Sequence, residues 1–149
     1  MPADPIDPAD PAEPTGPTGL TFPAEVFAEM VAHAIGGYPL EACGLLVGAG
    51  FAVHRFVPCT NEAASARVYT IPPKELLVAE RRAEDDGLEV IGVYHSHTHT
   101  DPYPSPTDVA QAPDPGWHYV IVGLKRETPE TRSYRIVDGT ITEEAVLES

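Results

Sequence analysis

The sequence predicts an α/β fold: one mixed β-sheet flanked by helices, built around a single core. Three observations predict it. The chain has 149 residues, 42% of them apolar, which is one domain's worth of core-forming sequence. Two segments carry apolar residues at helical spacing, and several short apolar runs bounded by turn residues lie between and after them. The order is helix, hairpin, helix, strand and then further strands, the pattern of a sandwich with mixed strand directions.

The first twenty residues stand apart. Pro2, Pro5, Pro8, Pro11, Pro14 and Pro17 recur at every third position, the period of an extended polyproline segment. Residues 1–20 are therefore expected to form a disordered leader, and residues 21–149 the folded domain. Pro23 suits a first helical turn. Val26, Phe27, Met30, Val31, Ala34 and Ile35 follow as the inner face of the first helix, and Gly36-Gly37 end it. His33 falls on the polar side and is expected at the surface. Cys43-Gly44-Leu45-Leu46-Val47 reads as a central strand, and Gly48-Ala49-Gly50 turns it into a partner over Phe51 to Val57.

Residues 58–71 read as an irregular loop over one end of the sheet. Pro72-Pro73 open a second helix through Asp85, with Leu76, Leu77 and Ala83 facing inward and Gly87 ending it. Glu89 to Tyr94 is a buried strand that runs into His95. A short helix starts at Ser105-Pro106-Thr107-Asp108. Tyr119 to Val122 and Ser133 to Val137 are further strands, and Asp138-Gly139 turns the last into Thr140 to Val146.

Formal net charge is −14. A charge of that sign and size disfavours nucleic acid and anionic membranes as partners. No apolar stretch is long enough to cross a bilayer, and no basic-then-apolar segment opens the chain. A soluble, cytoplasmic protein is the expectation. Cys43 and Cys59 are then expected as free thiols.

The chemistry concentrates in His95-Ser96-His97 and the residues after it. On a strand, successive side chains alternate faces, so His95 and His97 point the same way with Cα atoms ~6.6 Å apart. Two imidazoles so placed can converge on one metal, and a carboxylate from elsewhere would make three protein ligands with one position open for water, as in catalytic zinc sites. Asp108 is either that carboxylate or a first-turn acid favoured by the helix dipole. Ser105 is either a helix N-cap or a hydroxyl donor to an oxyanion. If it is both, the hydroxyl is expected to serve different partners at different steps. Glu41, one of many acids, stands at the mouth of an apolar strand where a general acid/base is useful. His99 continues the alternation, but three such residues span ~13 Å, so it is expected at the rim. The chain lacks Pro-Cys-x-x-Cys, His-Glu-x-x-His, a phosphate loop with Lys and a Gly-x-Ser-x-Gly elbow.

The spacing His-x-His, seven residues, Ser, two residues, Asp, with an upstream Glu, resembles the JAMM (MPN-plus) metalloproteases. Glu41-Ala42-Cys43-Gly44-Leu45-Leu46-Val47-Gly48 is similar to that family's segment around its catalytic Glu. The resemblance implies that His95, His97 and Asp108 hold one Zn²⁺, that Glu41 is the general acid/base and that Ser105 steadies the tetrahedral intermediate. It implies a cytidine-deaminase-like sandwich over residues 21–149. Tyr94-His95-Ser96-His97-Thr98, Tyr103-Pro104-Ser105 and Arg132 to Gly139 further resemble the small bacterial peptidases that act on ubiquitin-like sulfur carrier proteins. The implied activity is hydrolysis of the amide after the carrier's C-terminal Gly-Gly, releasing cysteine or a short extension. The alternatives are an isopeptidase acting on modified lysine and a binding module without catalysis. A Gly-Gly tail suits a narrow channel, and the loop 61–71 is expected to offer it a strand-like edge.

Overall fold

The computed structural model describes residues 19–149, so the proline-rich segment 1–18 lies outside the described residues. Seven strands and three helices follow in the order β1 (Gly19–Phe22), α1 (Ala24–Gly37), β2 (Cys43–Ala49), β3 (Ala52–Cys59), α2 (Pro73–Asp85), β4 (Glu89–His97), α3 (Pro106–Ala110), β5 (His118–Gly123), β6 (Glu130–Val137) and β7 (Thr140–Glu148). The sheet is mixed, as expected, and closes on itself in the order β1-β3-β2-β4-β5-β6-β7.

Strand β1 was not expected. It begins at Gly19, two residues inside the leader expected at 1–20. Four residues are too few to show a period, yet they close the sheet: β1 runs parallel to β7 in register from Gly19↔Ala145 to Phe22↔Glu148 and touches β3 at Thr21↔Ala52. Leu20 and Phe22 are fully buried there. A Cβ at position 19 would collide with the Ala145 carbonyl, so only glycine fits this close approach.

Two apolar clusters lie on opposite faces of the central strands. One gathers Val26, Met30 and Ala34 of α1 with Phe22, Leu46, Tyr94 and Val122. The other gathers Ala79 and Ala83 of α2 with Leu45, Val47, Val93 and Tyr119. Each large side chain so buried contributes ~1.5–3 kcal/mol relative to exposure. Four expectations need correction. Leu77 is 47% exposed and Ile35 53% exposed, because each lies about one helical step away from the 76–79–83 and 26–30–34 stripes. Pro23 is the residue before α1 with extended backbone, not its first turn. His33 is half-buried: its Nδ1 lies 2.9 Å from the Tyr94 hydroxyl, and its ring packs edge-on against Phe56. No helix among the described residues is long and apolar enough to cross a membrane.

The register of β4 matters for the site. Leu46 pairs with Gly92 but Val47 with Val90, so Ile91 is an extra residue, a β-bulge. Beyond it Val93, His95 and His97 share the α2 face, while Tyr94 and Ser96 point to the α1 face. Both faces are covered, so the histidines arrive buried.

Candidate metal centre

His95 and His97 bring their Nε2 atoms to 3.0 Å of each other. Asp108, carried in by α3, sets Oδ2 at 3.2 Å from His95 Nε2 and 3.0 Å from His97 Nε2. All three side chains are buried, and they are the group of His, Cys, Asp and Glu among the described residues that could hold an ion. The intervening loop turns over the end of β4 and β5. Pro102 rests on Gly123, where a Cβ would crowd it, and the Tyr134 hydroxyl donates to the Pro102 carbonyl at 2.5 Å. Arg126 pairs with Asp101 at 2.8 Å on the outside of the same loop.

That loop fixes a tautomer. His97 Nδ1 lies 2.9 Å from the Asp101 carbonyl, which can only accept, so Nδ1 carries the hydrogen and Nε2 presents a lone pair. The triangle therefore joins a carboxylate oxygen and an imidazole lone pair to a second imidazole, with edges of 3.0–3.2 Å. Donors bound at 2.0–2.1 Å in a tetrahedron stand about 3.3 Å apart. The donor set, its burial and its spacing fit a divalent ion. Burial lowers His95 toward the neutral, ligating form. Burial pushes the Asp108 carboxyl up, but the neighbouring His95 and His97 rings and the Ser105 N–H outweigh it and hold the group well below the usual carboxylate range.

Ser105 is the N-cap of α3. Its Oγ accepts from the Asp108 N–H at 3.1 Å, and the Ser105 N–H donates to Asp108 Oδ2 at 2.9 Å, a reciprocal capping box. The same carboxylate oxygen thus faces both histidines and is steered by the cap. Capping uses only a lone pair of the hydroxyl, so its hydrogen is free to donate into the cleft at the same time. The expectation that the hydroxyl must alternate between the two roles is removed by this geometry.

Glu41 sits just before β2 with 4% of its surface exposed. Its N–H donates to the Ser65 carbonyl at 2.8 Å, and its own carbonyl accepts from Asn61 Nδ2 at 3.0 Å. Its Oε1 is buried without a partner among the described residues. Burial raises the carboxyl to about 7, with His97 opposing and Asp108 adding. Glu41, His97 and Ser105 line one cleft of about 620 Å³ together with Ala66, Arg67, His99 and Thr100. His99 stays at its rim, beside Tyr38 with centroids 5.7 Å apart, so no three-histidine set forms. A buried carboxyl, a hydroxyl hydrogen and one corner of a cation-ready triangle facing one cleft suit the activation of water against a carbonyl.

The loop 61–71, expected to offer an edge to the substrate tail, contains no strand of its own. Most of its amides are spent internally: Ala63 and Thr70 donate to the Asn61 side chain, and Arg67 and Val68 donate to Ser65 Oγ. Its contribution lies in side chains instead. Tyr69 stacks on the His95 ring with centroids 4.4 Å apart. Nothing in the sequence singled out Tyr69, Ser96 or Asn61, since each acts on a residue far along the chain. Cys43 and Cys59 are free and face each other across the β2–β3 ladder.

Residues 23–137 match the family described as prokaryotic homologs of the JAB domain. The CysO-cysteine peptidase of Mycobacterium tuberculosis is 43% identical over 130 residues, 85% of this chain and 89% of that protein. A probable TtuB-protein conjugate cleaving protease of Thermus thermophilus is 33% identical over 123 residues, 80% of this chain and 78% of that one. The solution structure of protein DSY2949 from Desulfitobacterium hafniense superposes with a TM-score of 0.80 at 32% identity, covering 87% of this chain and 92% of that one.

Proposed function

This chain belongs to the prokaryotic JAB-domain family and is a JAMM-type peptidase, and from that premise we propose that it is a zinc-dependent enzyme that hydrolyses the amide bond after the C-terminal Gly-Gly of a ubiquitin-like sulfur carrier protein, releasing cysteine or a short extension. The observation that carries the reading is that His97, one corner of the His95–His97–Asp108 triangle, lines one cleft with Ser105 and with Glu41, whose Oε1 is buried without a partner among the described residues. The named activity of the mycobacterial relative supports the substrate class.

In this reading His95, His97 and Asp108 hold one Zn²⁺. When bound, the ion supplies Lewis-acid activation of the attacking water and of the scissile carbonyl. Glu41 takes a proton from the attacking water as its oxygen bonds to the carbonyl carbon. Ser105 donates its free hydroxyl hydrogen to the oxyanion. Glu41 then gives the proton to the departing nitrogen as the C–N bond breaks, leaving a Gly carboxylate on the carrier and a free amine on the leaving group. The unpartnered Oε1 and the raised carboxyl suit a group that must hold and release a proton near neutral pH.

A second reading, removal of a ubiquitin-like modifier from lysine, is favoured by the Thermus relative's name. It uses the same residues and differs only in the leaving amine. A binding module without catalysis is less well supported, since every residue of the motif is present. The test is to incubate the zinc-loaded protein with a sulfur carrier extended beyond Gly-Gly, and with a carrier–lysine conjugate, and to weigh the products by mass spectrometry. Trimming of the extended carrier, abolished in Glu41→Gln while the ion is retained, is the expected result. No change in mass of either substrate would overturn the peptidase reading.

A further inference from the structure

The cleft holds a cation that the chemistry so far does not use. Arg67 lines it beside Glu41, His97 and Ser105 and is its one permanently charged base. The turn that presents Arg67 is pinned: Ser65 Oγ accepts from both the Arg67 N–H at 3.0 Å and the Val68 N–H at 3.3 Å. Acids outnumber Lys and Arg by 23 to 9 in this chain, and Arg55, Arg126 and Arg132 are each paired with one. Arg67 makes no ion pair among the described residues and stays exposed. Its guanidinium is free for a ligand, and its place in the cleft sets it against the Glu41 carboxyl, which when ionised would otherwise repel an anion there.

We propose that Arg67 receives the free α-carboxylate of the departing residue, and so directs the enzyme toward C-terminal amino acids and away from lysine conjugates. This rests on the peptidase reading above and narrows its leaving group. In a C-terminal residue the carboxylate carbon is two bonds from the scissile nitrogen, so the negative charge lies within about 4 Å of the group Glu41 protonates. In a lysine conjugate the scissile nitrogen is Nζ, at the far end of a four-carbon stem, and the α-carboxyl of the modified residue is tied up in a peptide bond. Arginine suits the task because its planar fork matches a carboxylate with two charge-assisted hydrogen bonds. Exposure and salt limit the gain, so the expected preference is about tenfold.

The test uses one carrier ending in Gly-Gly-Ala, prepared with a free C-terminal carboxylate and again as the C-terminal amide. The zinc-loaded wild type is expected to cleave the acid with kcat/KM about tenfold above the amide. Arg67→Ala should lose that preference by slowing on the acid alone, and Arg67→Lys should keep part of it. The non-hydrolysing Glu41→Gln protein provides the same comparison as Kd, with and without Arg67→Ala. Equal cleavage of acid and amide by the wild type, or an acid preference that survives Arg67→Ala, would overturn the role of Arg67 and leave the peptidase reading standing. Failure of the wild type to cleave either form would remove both.

Discussion

The Ser96 hydroxyl accepts the Ala42 N–H at 2.8 Å, while the Ser96 N–H donates to the Ala42 carbonyl at 2.9 Å. Ser96 stands between His95 and His97 and points to the opposite face of β4, and Ala42 follows Glu41. The two bonds therefore tie the metal-ligand strand to the segment carrying the proton-transfer group. Ser96→Ala would leave the buried Ala42 N–H without a partner, at a cost of ~1–3 kcal/mol. The expected outcome is a lower unfolding midpoint and a fall in kcat of tenfold or more, with zinc affinity nearly unchanged. Urea titration, metal competition and steady-state kinetics on one preparation check all three.

Tyr69 lies over His95 with its ring plane 20° from parallel. Groups that orient a ligand commonly change metal affinity by 10–100-fold when removed. Tyr69→Leu should weaken zinc binding by about tenfold, toward the low end because a stacked ring fixes orientation without a hydrogen bond. Tyr69→Phe keeps the stack and should bind as the wild type does. A chelator-competition titration separates the two.

The sequence made the histidine pair legible because strand alternation is a local rule, and His95 and His97 obey it after the Ile91 bulge. Ser105 and Asp108 were legible because a serine cap before proline and an acid in the first turn are local marks of a helix start. Tyr69 was not, since it meets His95 from a loop 26 positions upstream with no period of its own. Strand β1 escaped for another reason: its pairing partner β7 lies at the other end of the chain. The same distance hid the His33–Tyr94 contact, which turned an expected surface residue into a packed one. Local rules placed the ligands, whereas long-range contacts determine what holds them still.

Ser105 carries two tasks that one substitution can separate by magnitude. Ser105→Ala removes the cap on α3 and should cost ~1 kcal/mol of stability. Losing an oxyanion donor should lower kcat by about 100-fold with little change in KM. Cap loss acting alone would leave kcat within a few-fold of the wild type. Thermal unfolding read beside kcat and KM distinguishes the cases.

Removal of the ion is expected to stop hydrolysis without unfolding the barrel, because the seven-strand ladder closes independently of the triangle. Dialysis against a chelator should abolish activity and preserve the far-ultraviolet circular dichroism, and added Zn²⁺ should restore turnover. His97→Ala should behave as the chelated protein does and resist rescue. Asp108→Ala should also lose about 1 kcal/mol, because Asp108 is half of the capping box.

Glu41→Gln should stabilise the ion-free protein at neutral and alkaline pH while abolishing turnover. Burial raises the Glu41 carboxyl to about 7, so the folded chain holds this proton more tightly than the unfolded one does. The group's contribution to stability is then fully present below its unfolded value of about 4.3 and is lost as pH rises through about 7. Glutamine never ionises and escapes that loss. The gain should be ~2 kcal/mol above pH 7.5, after allowance for solvent screening, and should vanish near pH 4. A bound dication favours the carboxylate, so the same comparison with zinc present should show a smaller gain. Urea denaturation across this range, with and without chelator, measures both differences. A Gln variant no more stable than the wild type at pH 8 would mean that Glu41 is better solvated than its burial implies, and the proton-holding role assigned to it would lose its physical basis.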